Sequence, residues 1–205
     1  MGLDMFLERA PRYKGYTLED VRSVEDYLDM ERVNKKEGKN YSFKEWCGRE
    51  KEPSKALIDH YKKYYKESYS DWDKEHRYPY FAIIEGAGYW RKANAIHRWF
   101  VDNIQNGEDD CKYHREVTED DLNELISLCE KVILASRLVK KDGTCIIEDR
   151  SVAEDLLPVQ DGFFFGSTSY DECYLNDLKD TIKICQEALV TTDFDKQMLG
   201  YCSSW

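Results

Sequence analysis

Residues 118 to 136 carry the feature that most restricts what this chain can fold into. Leu122, Leu125, Ile126, Cys129, Val132, Ile133 and Ser136 recur at intervals of three and four, which places them on one stripe of an α-helix. Thr118 stands where an N-cap belongs, and Asp121 occupies the reciprocal position three residues on. A helix apolar on one side only must be covered, so the rest of the chain has to supply partners for that stripe. Leu175, Leu178, Ile182, Cys185 and Leu189 provide a second stripe, on a helix predicted to follow the competing caps Ser167, Thr168 and Ser169. A third long helix is predicted over roughly 88 to 105, and a modest one over Leu18, Val21, Val24 and Leu28, capped by Thr17 with Asp20.

Short strand signals separate these helices. Leu3, Met5 and Leu7 alternate with Asp4, Phe6 and Glu8, which is the period of a half-buried strand. Further strands are predicted at 79 to 85, 144 to 147, 162 to 166 (Gly-Phe-Phe-Phe-Gly, read as a buried strand) and 197 to 201. Asn106-Gly107 and Asp142-Gly143 mark turns that need left-handed backbone. The expected fold is therefore α+β: a small mixed sheet packed with three long helices, in a single domain over residues 1 to 205. Residues 31 to 77 differ in texture, being charged, poor in aliphatics and dotted with aromatics from Tyr41 to Trp72. They are read as an aromatic-rich polar insertion with one helix near 53 to 67.

The segment GYWRKANAIHRWF, residues 88 to 100, is the first place to look for a site. On a helical wheel Trp90, Ala93, His97, Phe100, Val101 and Ile104 share a face with Asn94 at its edge. An imidazole on an apolar stripe needs a partner. His97 is then either a core residue bonded to a carbonyl or to Asn94, or, with Asn94, a surface that reads a polar ligand. Gly86-Ala87-Gly88 followed by Arg91 and Lys92 would present free N–H groups and positive charge to an anion at a helix start. It matches neither a Walker loop nor a GxGxxG fingerprint. Ser167 and Thr168, at the second strand-to-helix junction, are caps first and ligand hydrogen-bonders second. The candidate binding set is Gly88, Tyr89, Trp90, Arg91, Asn94, His97, Ser167 and Thr168.

Other chemistries find less support in the residues. No GxSxG elbow accompanies Ser167, so no catalytic residue is assigned. Cys111 and His114 supply only two of the four ligands that zinc wants, and Glu108-Asp109-Asp110 lacks the alternation of a calcium loop, so neither metal nor cofactor is expected. The net charge of −11 opposes direct binding to nucleic acid. No apolar run of membrane-spanning length occurs, and MGLDMFLERAP lacks the pattern of a secretory signal. Seven cysteines without a CxxC pair are read as free thiols, which suits a reducing cytoplasm.

Four segments together, MGLDMFLERA, GYWRKANAIHRWFVDNIQNGEDDC, LLPVQDGFFFGSTSYDECYLNDLKDTI and YCSSW, resemble a family of phage and prophage proteins of about this size. The likeness spans most of the chain and is weakest over 31 to 77. The family brings no assigned reaction, and what it implies is an accessory role against host defence, in the host cytoplasm. The leading expectation is a non-enzymatic binder that sequesters a small phosphate-bearing, nucleotide-derived signal. The alternatives are an acidic inhibitor whose face (Glu108, Asp109, Asp110, Glu119, Asp120) docks on a basic host protein such as a defence nuclease, and a hydrolase of a nucleotide signal using His97. Homo-oligomerisation is left open.

Overall fold

Leu3, Met5 and Leu7 are each fully buried, as their alternation requires, and β1 (Asp4–Pro11) forms the middle of a three-stranded sheet. Its neighbours are β4 (Glu85–Arg91) on one side and β7 (Gln197–Ser204) on the other. The computed structural model describes residues 2–69, 79–141 and 143–205. Helices α1 (Leu18–Glu37), α2 (Phe43–Cys47) and α3 (Lys55–Tyr61) follow β1, and then β2 (Lys66–Tyr69) pairs antiparallel with β3 (Pro79–Ala82). After β4 come α4 (Asn94–Asn103), α5 (Glu119–Ala135), the antiparallel pair β5 (Leu138–Lys141) and β6 (Thr144–Ile147), α6 (Ser151–Leu156), α7 (Glu172–Thr191) and β7.

The class is α+β, with the strands distributed over three small sheets. Contacts divide the chain into two compact units, Met1–Arg9 with Gly86–Trp205, and Ala10–Glu85. The segment expected as an insertion, 31 to 77, lies within the second unit, and its residues 70 to 77 fall outside those described. Charge follows the same division. The second unit carries 16 basic and 16 acidic side chains, whereas the first carries 14 basic against 25 acidic, so the entire net charge of −11 belongs to the first.

In the first unit α5 packs along α7. Leu122, Leu125, Cys129 and Val132 of α5 meet a face of α7 that includes Leu175, Leu178, Cys185 and Ala188. Each fully buried leucine here contributes about 1.5–3 kcal/mol. Thr118 and Asp121 form the reciprocal capping box that their spacing predicts. Strand β7 is buried from Met198 to Ser203, and its outer edge is covered because the Val117 N–H donates to the Leu199 carbonyl at 2.8 Å. In the second unit α1 turns Leu18, Val21, Val24 and Leu28 inward behind the Thr17–Asp20 capping box. The fully buried Tyr61 donates its hydroxyl proton to the Pro11 carbonyl, within a cluster in which Tyr13 stacks on His60.

Two expected elements are corrected. The run 88 to 105 is not one helix: residues through Arg91 extend β4, and α4 begins only at Asn94. Lys92 sits at φ 61, a left-handed kink between strand and helix that no lysine signals in advance. Residues 162 to 166 form no strand either. Phe164 has φ 65, and only Phe165 of the three phenylalanines turns inward, leaving Phe163 82% and Phe164 51% exposed.

Candidate functional site

Because β4 runs on to Arg91, the glycines before it serve the sheet and not a helix start. Gly88 lies flat against α7: a methyl group placed on it would come within 2.4 Å of Ile184 Cγ2. Trp90 is buried, and its indole N–H donates to Thr181 Oγ1 at 2.9 Å, so it offers no surface to a ligand. Tyr89 points away from the core, 42% exposed, with its hydroxyl donating to Asp4. Gly88 and Trp90 are therefore removed from the expected binding set, whereas Tyr89 stays exposed with its hydroxyl beside Arg91.

His97 is fully buried and both ring nitrogens are engaged: Nδ1 lies 2.7 Å from the Tyr201 hydroxyl and Nε2 3.0 Å from Asp109 Oδ1. A carboxylate only accepts, so Nε2–H donates to Asp109 and Nδ1 accepts from Tyr201. Burial holds the imidazole below its ordinary pKa, opposed by the charge and hydrogen bond of Asp109. Asp109 also accepts from Gln160 Nε2 at 3.0 Å and from the Trp205 indole at 3.2 Å. Of the two readings of His97, the core residue prevails, with partners that neither a carbonyl nor Asn94 supplies. Asn94 is likewise spent: its Nδ2 donates to the carbonyls of Phe165 (3.3 Å) and Ser167 (2.8 Å), and its Oδ1 accepts from the Gln160 N–H. It clamps the 160–167 segment to the start of α4.

That clamp creates a cleft of about 280 Å³ between the first turn of α4 and the start of α7. Arg91, Lys92 and the first-turn residues Asn94, Ala95 and Ile96 line one side, and Ser167, Ser169, Asp171, Cys173, Tyr174 and Asp177 line the other. The helix starts of α1, α2, α3, α5 and α7 are each capped by a side chain, while Ala93 at the N-cap of α4 and Arg150 at that of the short α6 supply none. The Asn94 N–H donates to the Lys92 carbonyl at 2.9 Å, and the start of α4 otherwise carries no side-chain cap beside the two cationic side chains. Asp171 is occupied as the cap of α7, accepting from the N–H groups of Cys173 and Tyr174. Burial, reinforced by Asp180 and Asp171, pushes the Asp177 carboxyl up to about 7, so it sheds its charge readily near neutrality.

No family model, curated protein or solved structure matches this chain. The cleft is accordingly judged on its own chemistry. From the expected set it gathers Arg91, Asn94 and Ser167; Thr168 is exposed and His97 is not among its walls. The two helix starts expected to matter do share one cleft, with Asn94 in the place foreseen for Gly88. Sequence reasoning missed Asp177 and Cys173, since nothing in the local pattern of α7 shows which side of its first two turns faces the start of α4, and it read Ser167, Thr168 and Ser169 as competing caps of a helix that Asp171 caps instead.

The acidic loop is also reorganised. Asp109 is tied to His97, Gln160 and Trp205, and Asp110 accepts from His114 Nε2 at 2.8 Å and pairs with the Lys112 ammonium at 3.3 Å. Both carboxylates are half-buried and engaged within the loop, whereas Glu108, Glu119 and Asp120 are exposed. Among the described residues, Glu108, Asp110 and His114 bring ligand-capable atoms within 4.8 Å of one another. Lys112 already supplies the positive charge there. The seven cysteines are free, and no helix among the described residues is long and apolar enough to cross a membrane.

Proposed function

We propose that the protein is a non-enzymatic binder of a small phosphate-bearing ligand, held in the cleft between α4 and α7. The observation that carries this is the uncapped start of α4 opening beside Arg91 and Lys92. Backbone N–H groups at such a start favour an anion, and the two cations add charge-assisted contacts. Ser167 and Ser169 contribute hydroxyls from the opposite wall. The α7 side tolerates an anion because Asp177 becomes neutral below a pH of about 7. Among the described residues, Ser167, Ser169 and Cys173 of the cleft show no hydrogen bond to the Asp177 carboxyl or to another base, which favours retention over turnover. Combined with the resemblance to phage proteins, this reading makes the chain a counter-defence protein that sequesters a nucleotide-derived signal in the host cytoplasm.

The test is to purify the protein from cells producing such signals, heat it, and identify what is released. Intact ligand supports sequestration, altered ligand makes the protein an enzyme, and nothing released refutes both. Arg91→Ala with Lys92→Ala should abolish retention while leaving the fold intact, since both side chains lie at the cleft mouth.

A second reading, inhibition of a basic host protein, draws on the confinement of the whole net charge to one unit. Its test is charge reversal at the exposed Glu119 and Asp120, because reversal at Asp109 or Asp110 would disturb the fold itself.

A further inference from the structure

We infer that the exposed pair Phe163 and Phe164 is the platform on which the planar ring of the ligand stacks while its phosphate lies at Arg91 and Lys92. This rests on the phosphate-binding reading of the cleft and adds to it the aromatic half of the ligand.

The pair is presented by a rigid frame. Phe165, one residue on, is buried edge-on against His97, with ring centroids 5.2 Å apart at 86°, and also packs against Trp205. Asn94 grips the carbonyls on either side of Gly166, and the Leu3 N–H reaches the Phe164 carbonyl at 3.5 Å. Phe164 is held at φ 65, a left-handed conformation that a residue with a side chain adopts at a cost. The result is two phenyl rings with centroids 4.2 Å apart, standing in solvent where a core would normally take them.

The basic pair of the cleft is the neighbour of this finger. A methyl group placed on Gly2 would meet Lys92 Cε at 3.2 Å, the Phe164 carbonyl oxygen at 3.8 Å and Arg91 Nη2 at 3.9 Å, so both cationic side chains converge on the backbone of the finger. Gly166 is pressed on Lys92 in the same way, its own added methyl lying 3.1 Å from Lys92 Cβ. Aromatic faces beside phosphate-binding cations suit a ligand that is planar at one end and anionic at the other, which is the chemistry of a nucleotide. A net charge of −11 on this unit disfavours an anionic lipid surface as the occupant.

Isothermal titration of the purified protein with inorganic phosphate and with AMP separates the two levels of the argument. AMP should bind about tenfold tighter than phosphate, the equivalent of about 1.4 kcal/mol. Phe163→Ala with Phe164→Ala should bring AMP down to the affinity of phosphate and leave phosphate itself unchanged; Phe163→Ser alone, at the more exposed position, should do most of this if the double variant fails to fold. Equal affinity for the two probes, both lost in Arg91→Ala, would overturn the stacking platform and leave the anion site standing. Binding of neither probe overturns both. If sedimentation shows a dimer that Phe163→Ser converts to monomer, the pair is a self-association patch and the inference falls.

Discussion

Replacing Gly88 by alanine adds one methyl group, and the structure states what that group meets. It would lie 2.4 Å from Ile184 Cγ2, 3.3 Å from Leu7 Cβ and 3.6 Å from Trp90 Cη2, where carbon atoms rest at about 3.5–4.0 Å. Gly88 does not have a positive φ, so its backbone accepts alanine and the cost is one of space alone. Ile184 cannot swing aside: Cγ2 is bonded directly to the branched Cβ of a residue on α7, whose χ1 is confined to one rotamer in a helix. Strand and helix must therefore part by more than 1 Å, roughly the situation in which overpacking costs 1–3 kcal/mol, and about 2–3 kcal/mol is expected here. Thermal unfolding should move down by about 5–10 °C, at roughly 2–4 °C per kcal/mol for a chain of this size. The decisive measurement is the double-mutant cycle with Ile184→Ala, which vacates the space. In that background Gly88→Ala should cost less than about 0.5 kcal/mol, giving a coupling of about 2 kcal/mol. Equal losses in the two backgrounds, or no loss in either, would refute the view of Gly88 as a packing residue.

His97→Ala takes one partner from the buried Tyr201 hydroxyl and one from the half-buried Asp109 and opens a cavity, so a loss of about 2–4 kcal/mol is expected in urea denaturation; a loss under 1 kcal/mol would mean that water replaces the imidazole in the network. Asp177 titrates near 7 in the fold against an ordinary 3.8, so the folded state holds its proton longer than the unfolded one. Its contribution to stability is complete below about pH 4 and is lost as pH rises towards 7. Asp177→Asn should remove that slope, read as the difference between pH–stability curves of variant and wild type, and the affinity for sulfate, which stays dianionic throughout, should rise in the wild type as pH falls through 7 but stay flat in the variant. Thr118→Ala dismantles the capping box of α5 and should cost about 1 kcal/mol by chemical denaturation, an effect that Thr118→Ser largely spares.

The elements legible in the sequence are those whose signal is local. Thr17 with Asp20 and Thr118 with Asp121 cap α1 and α5 as their spacing says, the alternation of Leu3, Met5 and Leu7 is realised in β1, and Asn106 and Gly107 take left-handed backbone at φ 55 and φ 80. Failures arise where burial has a distant cause. Trp90 fits the helical stripe of α4 by coincidence, because it is buried by Thr181 and Phe100 from a strand position. The phenylalanine run resembled a core strand since hydrophobicity alone does not tell Phe165, which is buried, from Phe163, which is not. The partners of His97 lie 104 residues away at Tyr201 and 12 away at Asp109, contacts made only once β7 and the acidic loop are in place. The candidate cleft was half legible: its basic wall follows from Arg91 and Lys92, while its α7 wall depends on how two elements some 80 residues apart are packed.

The uneven division of charge makes the two units respond differently to dissolved salt. The unit formed by Met1–Arg9 and Gly86–Trp205 folds against its own repulsion, which mobile ions relieve over a screening distance of about 8 Å at 0.15 M. The unit Ala10–Glu85, balanced in sign, has no such repulsion to relieve, and added salt can only weaken pairs such as Arg49 with Glu19 and Asp26. Dilute buffer therefore adds to the self-repulsion of the unit that holds the cleft, a load that the balanced unit does not carry.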